Sequence, residues 1–93
     1  MEIIQENNNK KGAFKAVENS IEAGLMTYSW AGENKFIIDH TEVNPDFAGK
    51  SVGKQLVMKA VEFARENNLK IMPLCPFAKS VFNKVAEIRD VLY

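Results

Sequence analysis

Two stretches of this sequence hold side chains that could do chemistry, and the first is the loop Val43–Lys54 (VNPDFAGKSVGK). Gly49 and Gly53 would let the backbone approach a ligand closely, and Lys50 and Lys54 add positive charge. An apolar helical pattern follows, and a helix start leaves about four backbone N–H groups without partners. The loop is therefore either an anion cradle or an ordinary strand-to-helix turn. It matches neither the P-loop spacing GxxxxGK[ST] nor the dinucleotide fingerprint GxGxxG.

The second stretch is Pro73–Phe77 (PLCPF), which contains Cys75, the only cysteine. A free cysteine is commonly a small buried hydrophobe. Here it stands at the end of a predicted strand and directly before a predicted helix, where a thiolate is stabilised and the thiol pKa is lowered. Cys75 is therefore either a core residue or a nucleophile. With one cysteine and one histidine, the chain has no internal disulfide and no support for a metal site.

The elements that must position these residues begin with strands joined by short turns. The first half predicts three strands, at Phe14–Val17, Ile21–Trp30 and Lys35–Val43, arranged as an antiparallel meander. Alternation along the third strand puts four side chains on one face: Phe36, Ile38, His40 and Glu42.

The second half changes to helical spacing. An amphipathic helix is predicted from Val52 to a stop at Asn67-Asn68, followed by a short strand, Leu69–Cys75, and a helix through Phe77–Ile88. The aromatic residues of these helices, Phe63, Phe77 and Phe82, are assigned to the core. The order β-β-β-α-β-α predicts an α+β fold whose mixed sheet gains a parallel strand through a right-handed crossover.

The bulk composition limits the possible partners and compartments. The chain has 93 residues, enough for a single domain spanning 1–93, and its 46% hydrophobic and 26% charged residues are typical of a globular protein. Twelve basic and twelve acidic residues cancel, which argues against nucleic acid or a membrane surface as a partner. No signal peptide or spanning segment is recognisable, so a cytoplasmic protein is predicted. The oligomeric state is not predicted; a monomer is compatible with the sequence.

The segment from His40 to Phe77 resembles the core of the GNAT superfamily, the acetyl-coenzyme A-dependent N-acetyltransferases. Its successive parts read HTEV, NPDF, AGKSVG, KQLVMKAVEFARENN and LKIMPLC, like the superfamily's strand, loop, helix and strand. HTEV together with PLCPF is more specific and resembles a short single-domain subgroup, over about residues 13 to 92. The resemblance implies a minimal GNAT-like acyl-coenzyme A N-acyltransferase fold, acetyl-coenzyme A as co-substrate, and a small or protein amine as acceptor.

Carried over by position, the resemblance assigns the coenzyme to backbone groups. The main chain near Thr41, Glu42 and Val43 would pair with the pantetheine arm in a gap between the third and fourth predicted strands, and N–H groups near Val43 would polarise the acyl carbonyl. Lys54 would add positive charge. The pyrophosphate would be held by the backbone of six loop residues: Ala48, Gly49, Lys50, Ser51, Val52 and Gly53. Two of these depart from the superfamily pattern, since Ala48 replaces an Arg or Gln and Ser51 a glycine.

The same resemblance leaves the catalytic route open. Cys75 would either form an acetyl-cysteine intermediate or line the site of a direct attack by the amine, for which His40 and Glu42 are the candidate bases. The superfamily's usual tyrosine acid is missing, because Val81 and Phe82 occupy its region, and the acid stays unassigned. A coenzyme A-binding or protein-interaction module with little or no catalysis is the alternative function.

Overall fold

The predicted α+β fold is confirmed, with one strand more than the sequence indicated. The computed structural model describes all 93 residues, Met1 to Tyr93. In chain order the elements are β1 (Glu2–Asn7), β2 (Lys11–Glu18), β3 (Ile21–Trp30), β4 (Lys35–Val43), α1 (Val52–Glu66), β5 (Lys70–Pro73) and α2 (Pro76–Lys84). Short 3₁₀ segments occupy Pro45–Phe47 and Ala86–Val91.

The strands form one five-stranded sheet in the order β1-β2-β3-β4-β5. The first four are antiparallel, and β5 lies parallel to β4 with α1 as the crossover. β1 is an edge strand whose residues are all exposed except Ile3, which packs against the core. The sequence gives no sign of β1, because one inward apolar residue makes no alternation. Its backbone pairing with β2 holds the strand in place.

Burial is confined to one face of the sheet. The buried strand residues Phe14, Met26, Phe36 and Ile38 face the helices, together with α1 residues such as Leu56 and Ala60. On the other face, side chains such as Leu25, Thr27 and Ile37 remain partly exposed; we call this the helix-free face. Neither helix has the length and apolar character needed to span a membrane.

The aromatic residues assigned to the helical core differ in burial. Phe82 is buried, Phe63 is half-buried and packs against the core, but Phe77 is 40% exposed. The assignment of Phe77 to the core is therefore wrong. Helical spacing identifies which positions share a face but not how deeply each one is buried, and Phe77 stands in the first turn of α2.

A β-bulge at Asp39 changes which residues of β4 share a face. Tyr28 pairs with Ile38, but the preceding residue Thr27 pairs with His40, so Asp39 is an extra residue in β4. Beyond the bulge, Thr41 lies opposite buried Met26 and faces the helices.

His40 and Glu42 consequently lie opposite Thr27 and Leu25, on the helix-free face. The expectation that they share a face with Phe36 and Ile38 is wrong, because one inserted residue reverses the alternation of every later side chain.

The start of α1 lies close to the sheet because β3 has a glycine there. A Cβ at Gly24 would stand 2.7 Å from Cγ1 of Val52 and 3.0 Å from the carbonyl oxygen of Glu42. Both distances are shorter than normal van der Waals contact, and the oxygen belongs to the backbone of β4. Gly24 therefore sets how closely α1 and the end of β4 pack.

We expect Gly24→Ala to lower the free energy of unfolding by about 1–3 kcal/mol, the usual cost of overpacking. Urea denaturation followed by circular dichroism measures it. Glu22→Ala is the matched control, since Glu22 is exposed on the same strand and its 3.8 Å ion pair with Lys15 is worth little. Equal stability of the two variants would contradict this role for Gly24.

Candidate functional site

A gap opens in the sheet where β4 loses its partner on one edge. Pairing between β4 and β5 ends at Ile38 and Pro73, whereas β4 continues to Val43. The last contacts are two hydrogen bonds of 3.2 Å, in which the N–H groups of Leu74 and Cys75 both donate to the carbonyl of Ile38. Pro73 itself has no N–H to donate. The edge of β4 beyond Ile38 is therefore free of β5.

The free edge of β4 presents backbone groups to the gap. The N–H of Asn44 points to β3, where it donates to the carbonyl of Ala23 at 2.8 Å. Because successive residues of a strand point their backbone groups to opposite edges, the N–H groups of Val43 and Thr41 face the gap. Of the three residues whose main chain was expected to pair with a ligand, Thr41 and Val43 are so oriented and Glu42 is turned to β3.

Cys75 lies at the closed end of this gap, as the N-cap residue of α2 with Pro76 in the first turn. Its side chain is buried, with 5% of the residue exposed, and Sγ is 3.4 Å from Oγ1 of Thr41. The thiol and the free edge of β4 therefore meet on the helix side of the sheet. The hydroxyl of Thr41 was not anticipated as a site group, since only its main chain was considered.

The environment of Cys75 favours its thiolate. Burial raises the pKa of the thiol, but hydrogen bonds from the Thr41 hydroxyl and from the N–H groups of Ala78, Phe77 and Thr41 outweigh it, so the pKa lies below its ordinary value. The donors from α2 belong to its first turn, where N–H groups lack helical partners. The expected lowering by a helix start is thus accompanied by a contribution from β4.

The loop between β4 and α1 bends through two left-handed residues. The side chain of Asn44 accepts a hydrogen bond from the N–H of Asp46 at 3.0 Å and begins the short 3₁₀ turn. Gly49 then has φ +84° and Ser51 φ +58°. Ser51 is the N-cap of α1, but its side chain caps no N–H. A serine here holds a conformation that glycine adopts more readily.

The loop backbone divides into occupied and available N–H groups. Those of Ala48 and Lys50 donate within the loop, to Pro45 at 3.1 Å and Phe47 at 3.2 Å. Those of Gly49, Ser51, Val52, Gly53 and Lys54 have no acceptor in the protein. The available donors cluster at the start of α1, as an anion site requires.

The two lysines of the loop differ in their availability. Nζ of Lys50 lies 3.1 Å from Oε2 of Glu18 and 5.2 Å from the centroid of the Phe47 ring. Lys54 is exposed and forms no ion pair. Lys54 is therefore the cation of this loop that is free to meet an anion.

Gly53 joins the loop to the start of α2. A Cβ on Gly53 would stand 2.5 Å from the Phe77 ring, so the ring packs directly on the backbone of α1. This contact accounts for the partial exposure of Phe77, which covers the junction of the two helix starts. The available N–H groups of α1 and the thiol before α2 thus belong to one packed unit.

His40 and Glu42 do not join this unit. Both are exposed, and both lie on the helix-free face, with the backbone of β4 between them and the thiol. Asp39 on that face accepts a hydrogen bond from the Ser29 hydroxyl at 2.6 Å. The sequence pattern held no sign of this arrangement, because it follows from the bulge. No group of three His, Cys, Asp or Glu side chains could hold a metal ion.

Comparison with known proteins agrees with the sequence resemblance. A family model described as GCN5-related N-acetyl-transferase matches residues 13–91. The chain is similar to the solution structure of a GCN5-like N-acetyltransferase candidate from Staphylococcus aureus, with 38% identity over 99% of this chain and 87% of that one, and a TM-score of 0.72. No curated protein sequence matches the chain significantly.

More distant structures share the fold alone. One is a ribosomal-protein-alanine N-acetyltransferase from Brucella melitensis biovar Abortus, at 18% identity over 84% of this chain and 62% of that one, with a TM-score of 0.73. Another is an aminoglycoside N-acetyltransferase in complex with coenzyme A, at 13% identity over 89% and 88%, with a TM-score of 0.65. The fold that contains β4, α1 and β5 is therefore shared by proteins of low sequence identity.

Replacing Thr41 by valine tests the environment of the thiol. The substitution keeps the side chain's size but removes the hydroxyl donor, so burial is opposed by fewer hydrogen bonds and the pKa of Cys75 should rise. The rate of alkylation by iodoacetamide, followed against pH, should have its inflection at higher pH than in the parent protein. Thr27→Val, on the helix-free face, is the control. An unchanged inflection in Thr41→Val would refute the role of the hydroxyl.

Proposed function

The chain belongs to the GCN5-related N-acetyltransferase family, and we propose that it binds acetyl-coenzyme A between β4 and β5 and transfers the acetyl group to an amine. The observation that carries the proposal is the pairing of two features. The edge of β4 beyond Ile38, which has no strand beside it, leads directly into a loop in which the N–H groups of Gly49 and of residues 51–54 have no acceptor. The arm of coenzyme A is extended, carries amide groups and ends in a pyrophosphate. It therefore needs a free strand edge followed by free N–H groups, which is the order found here.

The free groups of the chain fit the proposed co-substrate. The N–H groups of Gly49 and of residues 51–54 would hold the pyrophosphate, assisted by the positive end of α1 and by Lys54. Because the N–H of Thr41 donates to the thiol of Cys75, the gap-facing carbonyls of Thr41 and Val43 would accept the amide N–H groups of the pantetheine arm, in the manner of an added strand. Ala48 and Lys50 would not donate to the pyrophosphate, because their N–H groups are occupied by hydrogen bonds that hold the loop in its conformation.

We assign the polarisation of the thioester carbonyl to the N–H of Val43, an oxyanion-type role. In the direct route, the amine attacks the carbonyl carbon, its proton passes to His40 or Glu42, and the coenzyme leaves as a thiolate. Both side chains are on the helix-free face, from which an amine can approach β4 without meeting the helices. The acid that protonates the leaving thiolate is solvent in this scheme.

A second route is favoured by the lowered pKa of Cys75. The thiolate would attack the thioester carbonyl, form an acetyl-cysteine and release coenzyme A as a thiolate, before an amine takes the acetyl group. The burial of Cys75 argues for the direct route, since only 5% of the residue is exposed.

The alternative function, a coenzyme A-binding module with little catalysis, has its own support. Neither tyrosine is near the thiol: the Tyr28 hydroxyl accepts a hydrogen bond from Gln5 at 2.8 Å, and the Tyr93 ring packs on Nζ of Lys35 at 3.9 Å, at the far end of β4. A protein that only binds the coenzyme would need no tyrosine to protonate a leaving thiolate. Turnover with an amine decides between the two functions.

The decisive experiment for the function has two steps. Calorimetry should first detect binding of acetyl-coenzyme A, and absence of binding at about 1 mM would refute both functions. Mass spectrometry should then find acetylated product across a panel of amines. In the direct route, Cys75→Ala retains product formation and the parent protein carries no acetyl adduct on Cys75. An adduct that Cys75→Ala lacks, with loss of turnover, would establish the second route. Binding without adduct or product would favour the binding module.

Lys54→Gln tests the pyrophosphate loop. Removing the free charge beside the start of α1 should weaken acetyl-coenzyme A binding by about 1 kcal/mol, roughly fivefold, and the loss should shrink as salt is added. Lys59→Gln makes the same charge change further along α1, where the ammonium pairs with Glu62 at 3.5 Å, and should bind normally. Equal affinities in calorimetry at low salt would place the pyrophosphate elsewhere.

A further inference from the structure

The helix-free face has a polar trough of about 600 Å³ that the proposed coenzyme site does not use. It runs across four strands, from β1 to the bulge of β4. The side chains that matter here are Glu6, Lys11, Thr27, Ser29, Asp39 and His40. The volume falls in the range of small-molecule sites.

The lining of the trough is rich in hydrogen-bond acceptors. Glu6 and Asp39 contribute carboxylates from opposite ends, and Thr27 and Ser29 contribute hydroxyl oxygens between them. Lys11 is its single cationic side chain. Ammonium groups donate three hydrogen bonds and accept none, so this lining suits an amine better than it suits an anion.

The two carboxylates are separated by the width of the sheet. Glu6 on β1 and Asp39 on β4 are three strand spacings apart, or about 14 Å between backbones. Oδ2 of Asp39 already accepts a hydrogen bond from the Ser29 hydroxyl at 2.6 Å. Oε1 of Glu6 forms an exposed ion pair with Nζ of Lys15 at 3.4 Å. Exposed ion pairs are weak enough for a ligand ammonium to replace the lysine.

The β4 end of the trough meets the gap in the sheet. Asp39 and His40 occupy the bulge, and β5 ends beside it, opposite Ile38. No strand therefore stands between the trough and the free edge of β4. A ligand lying in the trough can reach the gap from the face opposite to Cys75.

We propose that the trough binds the acceptor, and that the acceptor is a linear amine carrying a second ammonium group. Glu6 holds the distant ammonium, while the reacting amine lies beside Asp39 and His40. The amine nitrogen bonds to the acyl carbon, the carbon–sulfur bond breaks, the nitrogen's proton passes to His40, and the thiolate leaves. This assignment rests on the proposed function for the transfer step, whereas binding of the amine depends on the trough alone.

Nuclear magnetic resonance tests the binding without requiring turnover. The free protein and the protein saturated with coenzyme A are titrated with 1,6-diaminohexane and with hexylamine. The diamine should shift the backbone N–H signals of Thr27, Ser29, Asp39 and His40 and bind at least fivefold more tightly than the monoamine. Glu6→Gln should remove that preference. Glu2→Gln, on the same face and strand but outside the trough, should keep it.

Acetylation kinetics give the second readout. The ratio of kcat/KM for diamine over monoamine should fall about fivefold in Glu6→Gln and keep the parent value in Glu2→Gln. Absence of acetyl-coenzyme A binding would refute the proposed function while the titration still reports on the trough. Shifts absent from the trough at 10 mM diamine, or equal preference in Glu6→Gln and the parent protein, would overturn the inference.

Discussion

The arrangement of this protein depends on a change in the hydrogen bonding of β4. Up to Ile38 the strand is paired on both edges, to β3 and to β5; beyond it only β3 remains. Two local features coincide with the change, the extra residue Asp39 in β4 and the proline at the end of β5. Backbone groups that would be satisfied in a continuous sheet are left facing a gap, and these are strong hydrogen-bonding groups that need a partner.

The bulge also assigns the side chains of β4 to two different environments. Thr41 turns to the helices and meets Cys75, whereas Asp39 and His40 turn to the helix-free face. A regular strand would put the histidine on the helix side and the threonine on the open face. The bulge thus places the thiol of Cys75 on the helix side of β4 and an acceptor-rich surface on its helix-free side, so that β4 itself lies between them. In the proposed reaction, the co-substrate and the amine approach from these two sides.

Much of the fold could be predicted from the sequence, and the strand that was not predicted has a physical explanation. The limits predicted for β3 and β4 agree with the structure, because their apolar residues alternate and Gly32 and Asn34 mark the turn between them. β1 could not be recognised, since its pairing is a backbone property and only Ile3 faces the core.

The site was predictable in its parts but not in its assembly. The loop and Cys75 stand out by residue type and by their position before helices. The bulge leaves no mark in residue type, so the faces of His40 and Glu42 were predicted wrongly relative to Phe36 and Ile38. Which N–H groups of the loop are free also depends on its tight turns: those of Ala48 and Lys50 are occupied.

In the proposed function, the free edge of β4 and the start of α1 together hold acetyl-coenzyme A. The most direct test is titration of ¹⁵N-labelled protein with acetyl-coenzyme A, followed by backbone N–H signals. We expect the largest shifts at Thr41, Val43, Gly49, residues 51–54 and Cys75, with Leu25 and the β1 signals nearly unchanged. Shifts confined to the helix-free face, or to α1 without Val43, would contradict it.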